Sequence, residues 1–171
     1  MILSDPARLE RAAAALFSRF GLSAAASRTT SGLEEIYRTF ANLPYENVSK
    51  ILGAAGHGGI WFQSPEELIE GFLASRLGGT CFSLTHCLYE LLRLCGFRAW
   101  RVLGDMQHGR NIHCAVVAEI NGTQYLCDPG YLLPAPLALP AGGDTESILR
   151  GEVYIYRLRR GQDDIRAFHL H

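Results

Sequence analysis

The stretch LGGTCFSLTHCLYELLRLCGFRAWRV, residues 77–102, is where the chain changes character. From Cys81 onward, apolar residues recur at Leu84, Leu88, Leu91 and Cys95, the spacing of one helix face. Gly96 stops that helix, because glycine takes the left-handed conformation of a helix end at little cost. The pattern then switches to the alternation of a strand in FRAWRVLGD, residues 97–105.

Upstream of this point the chain reads as helices. Ser64-Pro65-Glu66-Glu67 is a capping box with proline in the first turn, opening a helix expected to end at Gly78-Gly79. Residues 53–59 read as a glycine-rich loop, and no Lys-Ser or Lys-Thr follows to make it a phosphate loop. A helix from Thr30 or Ser31 to Pro44 presents Leu33, Ile36, Tyr37 and Phe40. The first helix is capped by Ser4 or Asp5 and closed by Gly21, with Leu9, Ala12, Ala13, Leu16 and Phe20 on its stripe.

Downstream the chain reads as strands. NIHCAVVAEI (111–120) and TQYLCD (123–128) flank Asn121-Gly122, a strong signal for a two-residue hairpin turn. Pro129, Pro134, Pro136 and Pro140 mark a loop, and EVYIYRLRR (152–160) and DIRAFHL (164–170) read as a further strand pair. The expected fold class is α+β, a helical layer over residues 1–96 packed on an antiparallel sheet or partial barrel over 97–171.

Composition narrows the function classes. The chain has 171 residues, 48% hydrophobic and 19% charged, enough apolar surface for a packed core. Net charge is -1, and no basic stripe points to nucleic acid or an anionic membrane. Asp5, Arg8, Glu10 and Arg11 interrupt the first residues, so a secretory signal is not expected. Five cysteines without a CxxC pair fit free thiols in a reducing cytoplasm.

Cys81 stands apart from Cys87, Cys95, Cys114 and Cys127. It opens a helix, where unpaired N–H groups and the helix dipole favour a thiolate. The preceding Gly78 and Gly79 let a carbonyl approach the backbone, whose N–H groups could serve as an oxyanion hole. The other four read as small core residues. In the hairpin, Ile120 falls opposite Thr123, Val117 opposite Leu126 and Ala115 opposite Asp128. One face holds Ile112, Cys114, Val116, Ala118 and Ile120 with Tyr125 and Cys127, and it is expected to be the core. The other face brings His113 diagonal to Asp128, within reach for the carboxylate to orient the imidazole toward a cysteine. Singly, each also has an ordinary structural reading: a satisfied strand histidine, and an aspartate starting a turn before Pro129. His57, His86, His108, His169 and His171 are read as bystanders, and no pair of them has metal-ligand spacing.

These residues resemble the arylamine N-acetyltransferases, a family of the wider transglutaminase-like cysteine enzymes. FGLSAAASRTTSGLEEIYRTFANLPYENVSKILG resembles the family's helical segment with its Pro-Phe-Glu-Asn core, with Tyr45 in place of the Phe. LGGTCFSLTHCLYELLRLCGFRAWRV places Cys81 on the catalytic cysteine, NIHCAVVAEI places His113 on the histidine, and YLCDPGYL places Asp128 on the aspartate. The likeness spans about Phe20 to Leu132. It implies a papain-like or transglutaminase-like core and acetyl transfer from acetyl-CoA to an arylamine, arylhydroxylamine or arylhydrazine. It implies acetyl-CoA as co-substrate with no tightly bound cofactor and no metal. Tyr45, Phe82, Gly130 and Tyr131 are the residues expected to shape the substrate pocket, with core packing as the alternative for Phe82. The family usually has Arg before the glycine pair and Glu two residues after the cysteine, where this chain has Leu77 and Ser83. Its Val-Gly-Phe-Gly is replaced by Pro129-Gly130-Tyr131-Leu132. The family also continues into more barrel and a lid-like domain, so the lid is expected to be missing here. The same triad would equally serve a cysteine amidase, a transamidase or an amide synthase, and the fold without activity would serve as a binding or scaffold module.

Overall fold

The computed structural model describes residues 5–22, 28–106, 109–131 and 133–140 with their side chains, and the backbone of 146–150, 155–160 and 165–170. Ser4, His108, Leu132, His171, residues 151–154 and 164, and the side chain of His169 lie outside this description.

Among the described residues, five helices precede the strands: α1 Pro6–Arg19, α2 Thr30–Phe40, α3 Val48–His57, α4 Pro65–Ser75 and α5 Cys81–Leu94. The caps are those the residue types demand. The Asp5 side chain accepts from the N–H groups of Ala7 and Arg8, and Thr29 caps α2 through the N–H of Gly32. Ser64 and Glu67 close a reciprocal capping box on α4.

The strands are β1 Arg98–Met106, β2 Gly109–Ile120, β3 Thr123–Cys127 and β4 Leu137–Ala138, in the sheet order β1-β2-β3-β4. The register is the expected one, with Ile120 opposite Thr123 and Val117 opposite Leu126. Asn121 and Gly122 both take positive φ, 51° and 80°, as this turn requires. A second, three-stranded antiparallel sheet consists of β5 Glu146–Arg150, β6 Ile155–Arg160 and β7 Ile165–Leu170, in which β5 had no counterpart in the sequence reading. Among the described residues the architecture is α+β, with a four-stranded sheet that is open and does not close into a barrel. One apolar core runs through both layers, from Leu16, Ile36 and Leu68 through Leu88 and Leu91 of α5 to Val116, Ala118 and Cys127.

Besides α2, which ends at Phe40 and not at Pro44, three expectations change. The glycine-rich segment at 53–59 is not a loop; its greater part belongs to α3, and left-handed Gly58 ends the helix. The missing side chain of Gly53 makes room for the Trp61 indole, since a Cβ there would lie 2.0 Å from the ring. Trp61 in turn stacks on His57. Secondly, α4 stops at Ser75, with Arg76 left-handed (φ 57°) and its guanidinium over the Phe72 ring, short of Gly78-Gly79. Thirdly, β2 is covered on both faces in its middle. Cys114, Ala115, Val116, Val117 and Ala118 are all buried, whereas Ile112, assigned to the core face, is exposed.

Candidate active site

Cys81 is the first residue of α5, and the extended Thr80 before it offers no side-chain cap. Hydrogen bonding from the Phe82 N–H is among the influences that favour the Cys81 thiolate. The loop that presents Cys81 is held from below by Glu46. One carboxylate oxygen accepts the Gly78 N–H at 3.0 Å, and the other accepts the Ser49 N–H at 3.0 Å. Ser49 donates its hydroxyl to the Gly78 carbonyl at 3.1 Å. The Glu46 N–H and the Gly79 N–H add bonds to the Gly79 and Pro44 carbonyls, so Tyr45 and Gly79 pair like two parallel strands. Gly78 has no room for a side chain, because a Cβ would lie 1.8 Å from the Pro44 carbonyl oxygen. Burial pushes the Glu46 carboxyl up, but the hydrogen bonds from Ser49, Gly78 and Val48 outweigh it and hold it below its ordinary value.

His113 sits on β2 opposite Gly104, and Asp128 follows the last residue of β3. The expected diagonal contact is formed: His113 Nε2 lies 2.8 Å from Asp128 Oδ2. The second carboxylate oxygen accepts the Tyr131 N–H at 3.0 Å. With Nε2 bound to Asp128, Nδ1 is the nitrogen left for Cys81. The Tyr131 ring meets the imidazole edge-on at 4.8 Å, and its hydroxyl donates to the Met106 sulfur. Gly130 closes the cluster. A Cβ on it would lie 2.8 Å from Cys81 Cβ and 2.9 Å from His113 Cε1.

The electrostatics follow from these contacts. The Cys81 thiol is pushed down to about 5, by hydrogen bonding first from Cys114 and then from His113, against the opposing effect of burial. Burial pulls the His113 imidazole down, but the hydrogen bonds to Asp128 and Cys81 outweigh it and raise it to about 9. Between those values a thiolate faces an imidazolium. The other cysteines move the opposite way. Burial raises the thiols of Cys87, Cys95 and Cys127, and the bond to Cys81, together with burial, raises Cys114.

The remaining positions fall into two groups. Tyr45 and Phe82 are half exposed (51% and 49%), so Phe82 is not a core residue. Gly130 and Tyr131 pack on the His113 ring. His86 lies between Arg101 and Glu90, away from this cluster, and His57 lies on α3. Ser83 packs against Gly79, whose Cβ would lie 2.9 Å away. Among the described residues, no three His, Cys, Asp or Glu side chains are placed to hold a metal. Two residues escaped the sequence reading. Glu46 could have been found as an acidic residue just ahead of a helix start, had the glycines of 53–59 not argued against that helix. Cys114 had no signal distinguishing it from a core cysteine.

A family model described as N-acetyltransferase matches residues 31–170. Solved structures share the fold. The arylamine N-acetyltransferase of Mycobacterium abscessus superposes with a TM-score of 0.74 at 21% identity, covering 98% of this chain and 61% of its own. That of Salmonella typhimurium gives 0.66 at 21% identity, covering 92% and 62%. That of Mycobacterium marinum, solved in complex with CoA, gives 0.62 at 18% identity, covering 90% and 62%. The chain thus spans a little over three fifths of the length of these structures. No curated protein sequence matches it.

Proposed function

This chain belongs to the arylamine N-acetyltransferase family, and on that premise we propose that it transfers an acetyl group from acetyl-CoA to an aromatic amine through a thioester on Cys81. The observation that carries this reading is the line of groups from Asp128 through His113 to a thiol already lowered at a helix start. The Cys81 thiolate adds to the thioester carbonyl, and the C–S bond to CoA breaks as the resulting tetrahedral oxyanion collapses to the acyl-Cys81 thioester. The departing CoA thiolate takes the proton of the His113 imidazolium. The N–H groups at the start of α5 stabilise the oxyanion. An amine then attacks the acyl-Cys81 carbonyl, His113 accepts its proton, and the Cys81 thiolate leaves. Asp128 keeps Nδ1 of His113 turned to the sulfur throughout. Tyr45 and Phe82, exposed beside the nucleophile, fit an aromatic acceptor, and Tyr131 packs behind the imidazole. The CoA bound in the Mycobacterium marinum structure supports the choice of donor.

The test is intact-mass spectrometry after incubation with acetyl-CoA. One acetyl adduct is expected, absent in Cys81→Ala and discharged by an added arylamine or arylhydrazine. An adduct that water discharges as fast as the amine would replace transfer by hydrolysis. No adduct at all, with an unreactive Cys81, would leave a binding or scaffold protein.

A further inference from the structure

Besides its buried stripe, α5 carries a second pattern. Phe82, His86, Tyr89 and Arg93 recur at helical spacing, so they line one face of the helix, and none of them is buried. The face starts at Phe82, beside the nucleophile, and meets Arg101 of the neighbouring strand β1. Arg101 Nη1 donates to His86 Nδ1 at 3.2 Å, and its guanidinium lies over the Tyr89 ring, 4.8 Å from the centroid. Arg93 reaches the same ring from the next turn of α5. Its guanidinium stands 5.9 Å from the centroid, and Nη1 donates to the Tyr89 hydroxyl at 3.4 Å. Two permanent cations thus converge on one tyrosine. Neither is paired with an acid. Arg98, on the same strand as Arg101, holds Glu119 at 2.6 Å, but among the described residues Arg93 and Arg101 have no carboxylate partner. Glu90 faces His86 at 3.8 Å instead.

We propose that Arg93 and Arg101, gathered on the Tyr89 ring, bind a phosphate ester whose body lies along this face of α5 toward Cys81. Each guanidinium spends one N–H on a neutral acceptor, a phenol or an imidazole nitrogen, and keeps the rest of its donors. Like charges brought together repel, and an anion between them turns that repulsion into attraction. The planar fork of arginine matches phosphate oxygens, and hydrogen bonds to an ionised acceptor are the strong ones. The spacing suits a thioester coenzyme. Along the helix axis Tyr89 stands about 10 Å from Phe82, and Arg93 about 16 Å. An extended pantetheine arm spans that range, so a thioester held at Cys81 brings its phosphates level with the two guanidiniums. The identity of the ligand as CoA rests on the acyl-transfer reading; the phosphate chemistry of the site does not.

The experiment is calorimetric titration of wild type, Arg93→Gln, Arg101→Gln and Arg98→Gln with three probes: CoA, adenosine 3′,5′-bisphosphate and pantetheine. Circular dichroism confirms which variants fold. Affinity for both phosphate esters should fall about tenfold in Arg93→Gln and in Arg101→Gln, the loss of one charge-assisted contact. Arg98→Gln should bind them as wild type does, because that guanidinium serves Glu119. Pantetheine carries no phosphate and should bind all four proteins alike. Absent binding of both phosphate esters, or equal affinity in wild type and the folded Arg93 and Arg101 variants, would overturn the proposal. So would an equal loss in Arg98→Gln, which would reduce the effect to the general field of the surface. The source of the phosphate is read from acetyl loading. Bisphosphate that slows loading from acetyl-CoA but not from acetyl-pantetheine assigns the site to the coenzyme's own phosphates. Bound bisphosphate that slows neither assigns it to a separate phosphate ester. Titration needs no turnover, so a missing acetyl adduct beside intact variant losses sinks the acyl-transfer reading alone. An adduct beside unchanged affinities sinks the phosphate site alone.

Discussion

The imidazole of His113 is pulled toward its charged form from two sides, by the Asp128 carboxylate and by the Cys81 sulfur. Its raised value means that this attraction stabilises the fold fully below the free imidazole value of about 6.5 and is lost as pH rises through about 9. The Cys81 thiol is depressed, so its contribution is complete above the free thiol value of about 8.5 and is lost as pH falls through about 5. Cys81 should therefore alkylate at a near-constant rate from neutral pH down to about 5. In His113→Asn the lower limb should climb toward the ordinary thiol range; an unchanged limb would remove His113 from the site. Gly130 is tested differently. Alanine places a Cβ 2.8 Å from that of Cys81, so the sulfur or the ring must shift. Acetyl loading in Gly130→Ala should fall by about 100-fold, since a misplacement near 1 Å has that effect. Retained loading would show that the cluster yields without loss. At this scale the sequence revealed the residues whose positions are constrained by simple rules. A helix start marks Cys81, and a two-residue turn indexes His113 against Asp128. Cys114 depends on which side of a strand meets which turn of a helix, and no local spacing encodes that.

The connection between α2 and α3 works as a latch on the loop before α5. Glu46 and Ser49 grip Gly78 from both sides, Glu46 at the N–H of the peptide before it and Ser49 at the carbonyl of the peptide after it. Because Gly78 lies three residues before Cys81, slack in that grip reaches the sulfur. Glu46→Gln replaces one carboxylate oxygen by a donor, so one of the two N–H groups loses its acceptor. We expect acetyl loading to fall about tenfold, from a loss near 1.4 kcal/mol at the first chemical step. Ser49→Ala should do the same, and the double variant should lose less than the sum because both hold one residue, Gly78. Additive losses in the loading rates would show two independent supports. By contrast, Ser64→Ala removes the cap of α4 and should lower stability by about 1 kcal/mol in urea titrations while leaving Cys81 alkylation unchanged. The elements differ in legibility for physical reasons. The capping box of α4 and the hairpin register of β2 and β3 follow from local chemistry, and both are in place. The helix α3 was missed because glycine at 53 and 56 reads as a breaker, whereas Gly53 is the seat of the Trp61 ring, a contact between segments.

Across the whole molecule, α5 joins the layers. Its first turn carries the nucleophile, its buried stripe packs among the helices, and Thr85 ties it to β2. The α+β class was legible because periodicity changes once, at Gly96. The two-sided burial of β2 was not, because a strand's own alternation says nothing of what covers its second face. A core continuous from Leu16 to Cys127 implies that helices and sheet unfold together, and two fully buried cysteines report on the two sides. Cys87 lies on α5 with its thiol directed to the Pro65 carbonyl, and Cys127 ends β3. Both are shielded from solvent in the native state, so each labels only when its surroundings open. In a urea series with a thiol reagent, their peptides should become modified at the same midpoint, which should also match loss of the helical circular dichroism signal. Labelling of Cys127 at clearly lower urea than Cys87 would show that the sheet opens while the helices stand. The site would then lose His113 and Asp128 before it loses the helix that carries Cys81, and acetyl loading would disappear at the lower of the two midpoints.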